Sequence, residues 1–340
     1  KYFLDIYKQS MGRLNTFGLF IYRSLKKLLV KEGLFSFIIP NTLLTQEGYH
    51  SLRKEILKHK IINLTNYKSP VFVDAVVETI VIVIEKSSNN NNKIKIIDFN
   101  NDNMNSTSHD IDQNEYNKTF NNSFLVNVDK ELLRLKQKVD VNHKILKSIA
   151  NINQAIALKH DRSKYLSKKK FAENYKPVID GRNINRYELD WDNQYLAYNL
   201  KNIHSCKRTD IFEANEKLFF RRVGDRIIAT YDNNQFYALN TLVVITFKIN
   251  LEISIKYILG LLNSKLLNFY YIKYLKSTKR IFSEIQARQI SQLPIHMCDF
   301  DNPNEVKQYN KIVSLVDQML DLHKRSPQTP FEQERLEREI

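Results

Sequence analysis

Four clusters in the second half of the chain combine basic side chains with aromatics and amides, residue types that bind and read nucleic acid. The first is Lys159-His160-Asp161-Arg162 with Lys164-Tyr165 and Lys168–Lys170. The second is Gly181-Arg182-Asn183-Ile184-Asn185-Arg186-Tyr187, the third Arg221-Arg222-Val223-Gly224-Asp225-Arg226, and the fourth Lys276–Arg280. Arginine can hydrogen-bond guanine bidentately and asparagine can do so with adenine, whereas lysine mainly neutralises phosphate. Any one cluster alone reads most simply as a solvated face. Four in one block favour a DNA-binding surface. The candidate contacts are Lys159, Arg162, Arg182, Asn183, Arg186, Arg221, Arg222, Arg226, Lys279 and Arg280. Other chemistry is poorly represented. There is no glycine-rich phosphate loop, no serine elbow and no His-Glu-x-x-His. His204-x-Cys206 and His296-x-Cys298 supply four zinc-type ligands on paper, but zinc sites favour Cys-x-x-Cys spacing, so no metal is expected. Asp180 and Asp192 read as turn residues rather than a nuclease pair.

The charge balance points the same way. The 340 residues carry a formal net charge of +15. Residues 127–300 hold 30 Lys/Arg against 17 Asp/Glu, a net of +13. A concentrated basic surface favours a polyanion, because each phosphate contact releases condensed counterions. A merely soluble basic protein is the rival reading. A membrane partner is disfavoured: no run approaches the ~18 apolar residues of a span, and no basic amphipathic helix with a Trp/Phe face stands out. The two cysteines cannot form a disulfide framework, which fits a cytoplasmic, soluble protein.

The elements that would hold these residues fall into four stretches. Residues 1–86 alternate helix and strand signals. Leu19, Phe20, Leu25, Leu28 and Leu29 form a helical stripe ending at Gly33, and Leu34–Ile39 reads as a buried strand closed by Pro40-Asn41. Tyr49, Leu52, Ile56 and Leu57 mark a helix; strands follow near Ile61–Tyr67 and Val76–Ile84. About ten residues separate those strands, too few for a parallel crossover, so they should pair antiparallel. The fold expected is α/β: the C-terminal portion of a doubly wound sheet with an antiparallel last strand. With no glycine-rich turn ahead of it, the segment reads as a truncated start. Residues 87–126 are Asn-rich and read as a polar surface insertion around one strand, Ile94–Phe99. Residues 127–300 read as a mixed α+β domain with turns at Gly224-Asp225 and Asn233-Asn234 and a long apolar helix from Ile255 to Tyr274. Residues 301–340 read as C-terminal helices, the first capped by Asn302-Pro303.

Several stretches resemble a known family in type, order and spacing. Asn15-Thr16-Phe17-Gly18-Leu19-Phe20-Ile21, Gly33–Asn41, Tyr49-x-x-Leu52-Arg53 and Val71-Phe72-x-x-Ala75-x-Val77-x-Thr79 resemble the region after the Asn-Pro-Pro-Tyr motif of gamma-class N6-adenine DNA methyltransferases. Lys176–Tyr187, Glu216–Arg222, Leu261–Leu266 and Gln292–Ile295 resemble the TaqI-like specificity domain of these enzymes and of type IIG restriction–modification proteins. Glu334–Ile340 is similar to the helix closing that architecture. The resemblance implies methyl transfer from S-adenosylmethionine to the amine of an adenine flipped out of double-stranded DNA. It also implies that Phe72 packs on the flipped base; a core phenylalanine at a strand start is the plainer alternative.

This sequence departs from the family pattern in two places. It contains neither Asn-Pro-Pro-Tyr nor the glycine-rich cofactor loop, so the main S-adenosylmethionine site and the catalytic residues are expected outside it, and the chain alone is expected to be inactive. A nuclease domain or subunit is expected, if anywhere, outside this sequence. The alternatives are a DNA-specificity module serving a separate catalytic chain, and a phage-exclusion methylase.

Overall fold

The computed structural model describes residues 15–67, 71–72, 77–89, 91–100, 105–248, 251–276, 284–325 and 330–340. Lys279, Arg280 and part of the fourth basic cluster lie outside them. The described residues form two compact units, divided between Gln137 and Lys138.

The first unit is a five-stranded sheet with helices. Its strands are β1 (Leu34–Pro40), β2 (His59–Tyr67), β3 (Thr79–Ser88), β4 (Lys93–Asn100) and β5 (Asn105–Asp112), in the order β1-β3-β2-β4-β5. Strand β3 runs antiparallel to both β1 and β2, while β2 and β4 are parallel. The predicted antiparallel pairing of β2 with β3 is therefore present. The last strand of the predicted set is not an edge, however; it lies between its two predecessors. Helix α1 (Thr16–Arg23) buries Phe17 and Ile21, and a wider turn after it buries Leu25. Those residues recur every four positions, one face of a helix. The stripe read from the sequence is different: Phe20 and Leu28 are over 60% exposed, at 62% and 64%. Strand β1, expected to be buried, shows Leu34 at 63% exposure. Phe20, Leu28, Val30 and Leu34 are each exposed apolar residues of this unit.

In the Asn-rich stretch the strand read at Ile94–Phe99 is present as β4, and a second strand, β5, joins it. Strands β4 and β5 extend the sheet, and Ile94, Ile96, Ile111, Tyr116 and Phe124 are all buried. A few apolar residues at strand spacing bury more than their number suggests. Two buried polar side chains hold this stretch in place. Gln113 accepts from the Ile61 amide at 2.9 Å and donates to the His59 carbonyl at 2.7 Å. Arg53, on helix α2 (His50–Ile56) and fully buried, donates to the carbonyls of Leu43, Gln46, Asn121 and Asn122. Burial lowers its pKa to about 10.

The second unit carries two four-stranded sheets. One has the order β11-β10-β13-β6, all antiparallel: β6 is Ala150–Gln154, β10 Lys217–Arg221, β11 Ala229–Asp232 and β13 Leu242–Phe247. The other is β12-β8-β9-β7, with β7 Leu166–Ser167, β8 Tyr175–Ile179, β9 Tyr195–Ala197 and β12 Tyr237–Ala238. Val178, Ile179, Leu196, Phe212, Phe219, Tyr237 and Val244 form the common core. The Asn233-Asn234 turn is present, closed by the Asp232 carboxylate accepting from the amides of Asn234 and Phe236. Asp232 also meets Lys217 at 2.6 Å, with both side chains fully buried.

The predicted long helix is broken in two. Helix α3 (Ile255–Asn263) ends where Ser264 turns extended, and Ser264 then caps α4 (Lys265–Tyr270) through the Leu267 amide. An apolar run cannot announce such a break, which is made by a single serine hydroxyl. Helix α5 (Ala287–Ile290) packs beside β6, and α6 (Pro303–Arg325) and α7 (Pro330–Glu339) follow. Gly260 lets α3 and α6 approach closely: a Cβ there would sit 2.9 Å from Ile312 Cγ2. No described helix is long and apolar enough to cross a membrane.

Candidate nucleic-acid interface

The structure divides the predicted contact residues into those free to meet a ligand and those that hold the fold. Asn183 belongs to the second group: its Oδ1 accepts from the Asp180 amide at 2.8 Å, and its Nδ2 donates to the Asp190 carbonyl. Arg186 donates to the Asn263 carbonyl and pairs with Glu337 at 2.9 Å, tying its hairpin to the C-terminal helix. Arg221 donates to the Ile184 carbonyl and to Asn185 Oδ1. A side chain so engaged must break internal bonds before it can read a base.

Arg162 and Arg182 are both exposed and converge on the buried carboxylate of Asp180, at 3.4 and 3.1 Å. Asp180 caps the Gly181–Asn183 turn, as a turn residue should. Its hydrogen bonds hold the Arg182 guanidinium further above the ordinary arginine value. The Gly181 amide donates to Thr241 Oγ1 at 2.9 Å, the Thr241 carbonyl accepts from the Arg222 amide, and Arg222 Nη1 donates to the Asn240 carbonyl. The Asn240-Thr241 turn thereby brings the second and third basic clusters together at one end of the β6-containing sheet. Lys276, the described residue of the fourth cluster, meets the third at the next loop, where its Nζ donates to the Asp225 carbonyl and Arg226 pairs with the Asp225 side chain. Lys159 is exposed, its amide bonded to the Asn202 carbonyl.

Along β6 runs a groove of about 830 Å³. Its basic lining residues are Lys147, Arg222, Lys248 and Arg288, with Glu284 the single carboxylate. Between them lie Asn151, Asn153 and Gln154 of β6. Two features of the chain build it. Strand β6 is the last in its sheet, with β13 on its inner side only. Residues 284–285 return against the third cluster, where Val223 bridges Glu284 and the Ile285 amide donates to the Arg222 carbonyl, placing Glu284 3.2 Å from Arg222. Sequence reasoning found Arg222 alone here. Lys147, Lys248 and Arg288 stand singly in the sequence, and the amides of Asn151-Ile152-Asn153-Gln154 lie outside every basic cluster; the sheet brings them to one groove.

Phe72 is described and 48% exposed, so it is not a core residue. Of the His-x-Cys pairs, His296 bonds Glu305 at 3.1 Å, and among the described residues no group of three His, Cys, Asp or Glu is arranged to hold a metal ion.

Comparison with known proteins adds the class. Residues 1–72 match the Eco57I restriction–modification methylase, and residues 176–295 match the TaqI-like C-terminal specificity domain. The first stretch is thus similar to a restriction–modification methylase and the second to a TaqI-like specificity domain. Among individual proteins, it is 28% identical over 305 residues to RM.MjaORFECS2P of Methanocaldococcus jannaschii, named as a type II restriction enzyme and methyltransferase. The match covers 85% of this chain and 26% of that protein, so the chain spans about a quarter of its relative's length. Its fold is similar to that of the Type IIL restriction–modification enzyme MmeI in complex with DNA, with TM-score 0.54, 11% identity, and coverage of 94% of this chain and 46% of MmeI. A nuclease-deletion mutant of the Type ISP enzyme LlaGI with a DNA substrate mimic gives TM-score 0.52, 13% identity, and coverage of 96% and 33%.

Proposed function

We propose that residues 138–340 recognise a DNA sequence and so direct adenine-N6 methylation by the longer protein of which this chain is part. The observation that carries this reading is the β6 groove. Four cations face one carboxylate around a row of amides, the mix of phosphate neutralisation and base-edge hydrogen bonding that duplex recognition needs. The exposed Arg162–Arg182 pair extends the basic surface beyond the groove. Double-stranded DNA is the partner, and the setting is a cytoplasmic restriction–modification or related defence enzyme. The first unit contributes strands to a methyltransferase sheet.

The described residues do not make up a site for S-adenosylmethionine. The half-buried carboxylates of the first unit that could take ribose hydroxyls are already bonded: Glu55 to Lys26 and Lys58, Glu85 to Lys60, and Glu78 to Asn41. No step is therefore assigned through the cofactor here, and the chain alone is expected to be inactive. Phe72, exposed and in the position implied by the family resemblance, is suited to stack on a flipped adenine.

The test is incubation of the longer protein with labelled S-adenosylmethionine and duplex DNA. N6-methyladenine at a fixed sequence is expected; label on cytosine, or at no fixed sequence, contradicts the reading. A specificity module acting with a separate catalytic chain is the second reading. It would hold if the gene's natural start lay at Lys1 with no Asn-Pro-Pro-Tyr ahead of it.

A further inference from the structure

We infer that Asn151 and Asn153, on the edge strand β6, are the base-reading side chains of the groove, and that the predicted Asn183 and Arg186 are not. The inference rests on the DNA-recognition reading above and assigns it to specific amides. The argument is one of hydrogen-bond accounting. A buried or half-buried amide in a folded protein ordinarily finds internal partners. Four other amides of this unit do so: Asn183 caps a turn, Asn185 bonds Glu188 and Arg221, Asn263 bonds both backbone groups of Ala229, and Asn268 bonds Leu262, Ser264 and Ile227. Gln286 accepts from Arg288 at 2.7 Å. Asn153 differs, since it is half-buried and makes no side-chain hydrogen bond among the described residues; the exposed Asn151 stands on the same face of the strand. Asn153 Nδ2 is buried without any partner, an orphan donor in the wall of a polar groove. Leaving such a donor unmet costs on the order of the desolvation of one amide, which a ligand acceptor would relieve.

The geometry suits a row of base edges. Alternation along a strand puts Asn151 and Asn153 on the same face, two residues or about 6.7 Å apart. Pairing with Thr246 and Val244 of β13 fixes the register. Each amide offers a donor and an acceptor together, the pattern that matches adenine N6 and N7 in the major groove. Lys147 and Lys248 stand near the Ala150 end of the strand and Arg222 near the Gln154 end, positioned for phosphates at either side. The Lys248 ammonium, bonded to the Lys147 carbonyl at 2.8 Å, is fixed over that end.

Selection of bound sites from a randomised duplex pool by the 340-residue chain tests this. Asn151→Ala and Asn153→Ala should keep salt-dependent duplex binding within about twofold and lose about 10- to 100-fold discrimination at one or two positions of the selected site. Asn153→Asp keeps the shape, removes the donor, and should change the preferred base at one position toward cytosine, an outcome that a misfolded variant cannot mimic. A wild-type chain that selects a motif which all three variants select unchanged overturns the inference and leaves DNA recognition standing. A wild-type chain without salt-dependent duplex binding removes both.

Discussion

The basic rim of the β6 groove has a measurable signature in the salt dependence of duplex binding. Lys147, Arg222, Lys248 and Arg288 against Glu284 leave a net of three positive charges at the groove. Three neutralised phosphates give a slope of about −2.7 in log affinity against log salt, or a loss of about 40-fold between 50 and 200 mM. Lys147 is the cleanest position to perturb, being exposed, with no side-chain bond to lose. Lys147→Gln should bring the slope to about −1.8 and the loss to about 12-fold over the same range. Fluorescence anisotropy with a labelled duplex at five or six salt concentrations resolves that difference. Lys324→Gln, on an exposed position of α6 outside this groove, should leave the slope unchanged. Equal effects of the two substitutions would refute the placement of the binding surface, and a flat wild-type slope would refute the electrostatic argument itself.

Three further outcomes concern the frame. Lys217→Met strands the Asp232 carboxylate in the core, and breaking one partner of a buried pair should cost about 3–5 kcal/mol in urea unfolding; a loss under about 1 kcal/mol would contradict that accounting. Arg53→Met leaves four backbone carbonyls short of a donor and should destabilise the first unit by on the order of 3 kcal/mol. Amide exchange should rise first around Asn121 and Asn122; uniform exchange would mean that Arg53 does not pin that turn. Burial works against the charge of Glu55, but Lys26 and Lys58 outweigh it and hold its pKa below the ordinary glutamate value. Its stabilisation is thus complete above about pH 4.3 and disappears as pH falls through the lowered folded value. Glu55→Gln should flatten the acid limb of the stability profile, and an unchanged limb would contradict this.

Much of the fold is legible in local pattern. Val81, Val83 and their neighbours announce a strand by alternation and β-branching, and the short connection to β2 dictates antiparallel pairing. Asn302 and Pro303 start α6 by the ordinary chemistry of a helix N-terminus. What the sequence does not reveal is set by distant partners. The Asn-rich stretch joins the first sheet because Gln113 and Arg53 satisfy backbone groups over 50 positions away. The split at Ser264 depends on one hydroxyl finding the Leu267 amide. The candidate site shows the same division. Charge clustering finds Arg162, Arg182 and Arg222, yet it ranks Asn183, Arg186 and Arg221 beside them, although each of these three makes hydrogen bonds that hold the fold. Asn151 and Asn153 carry no charge and lie in no basic cluster; only the edge position of β6 and the orphan amide of Asn153 distinguish them.

The central claim, that residues 138–340 read a DNA sequence, is met most directly by site selection with the 340-residue chain followed by affinity measurement at 150 mM salt. The account predicts a recovered motif, with each mismatch costing about 1–3 kcal/mol in affinity. Binding that is equal across all sequences, or no binding at low salt, would contradict it.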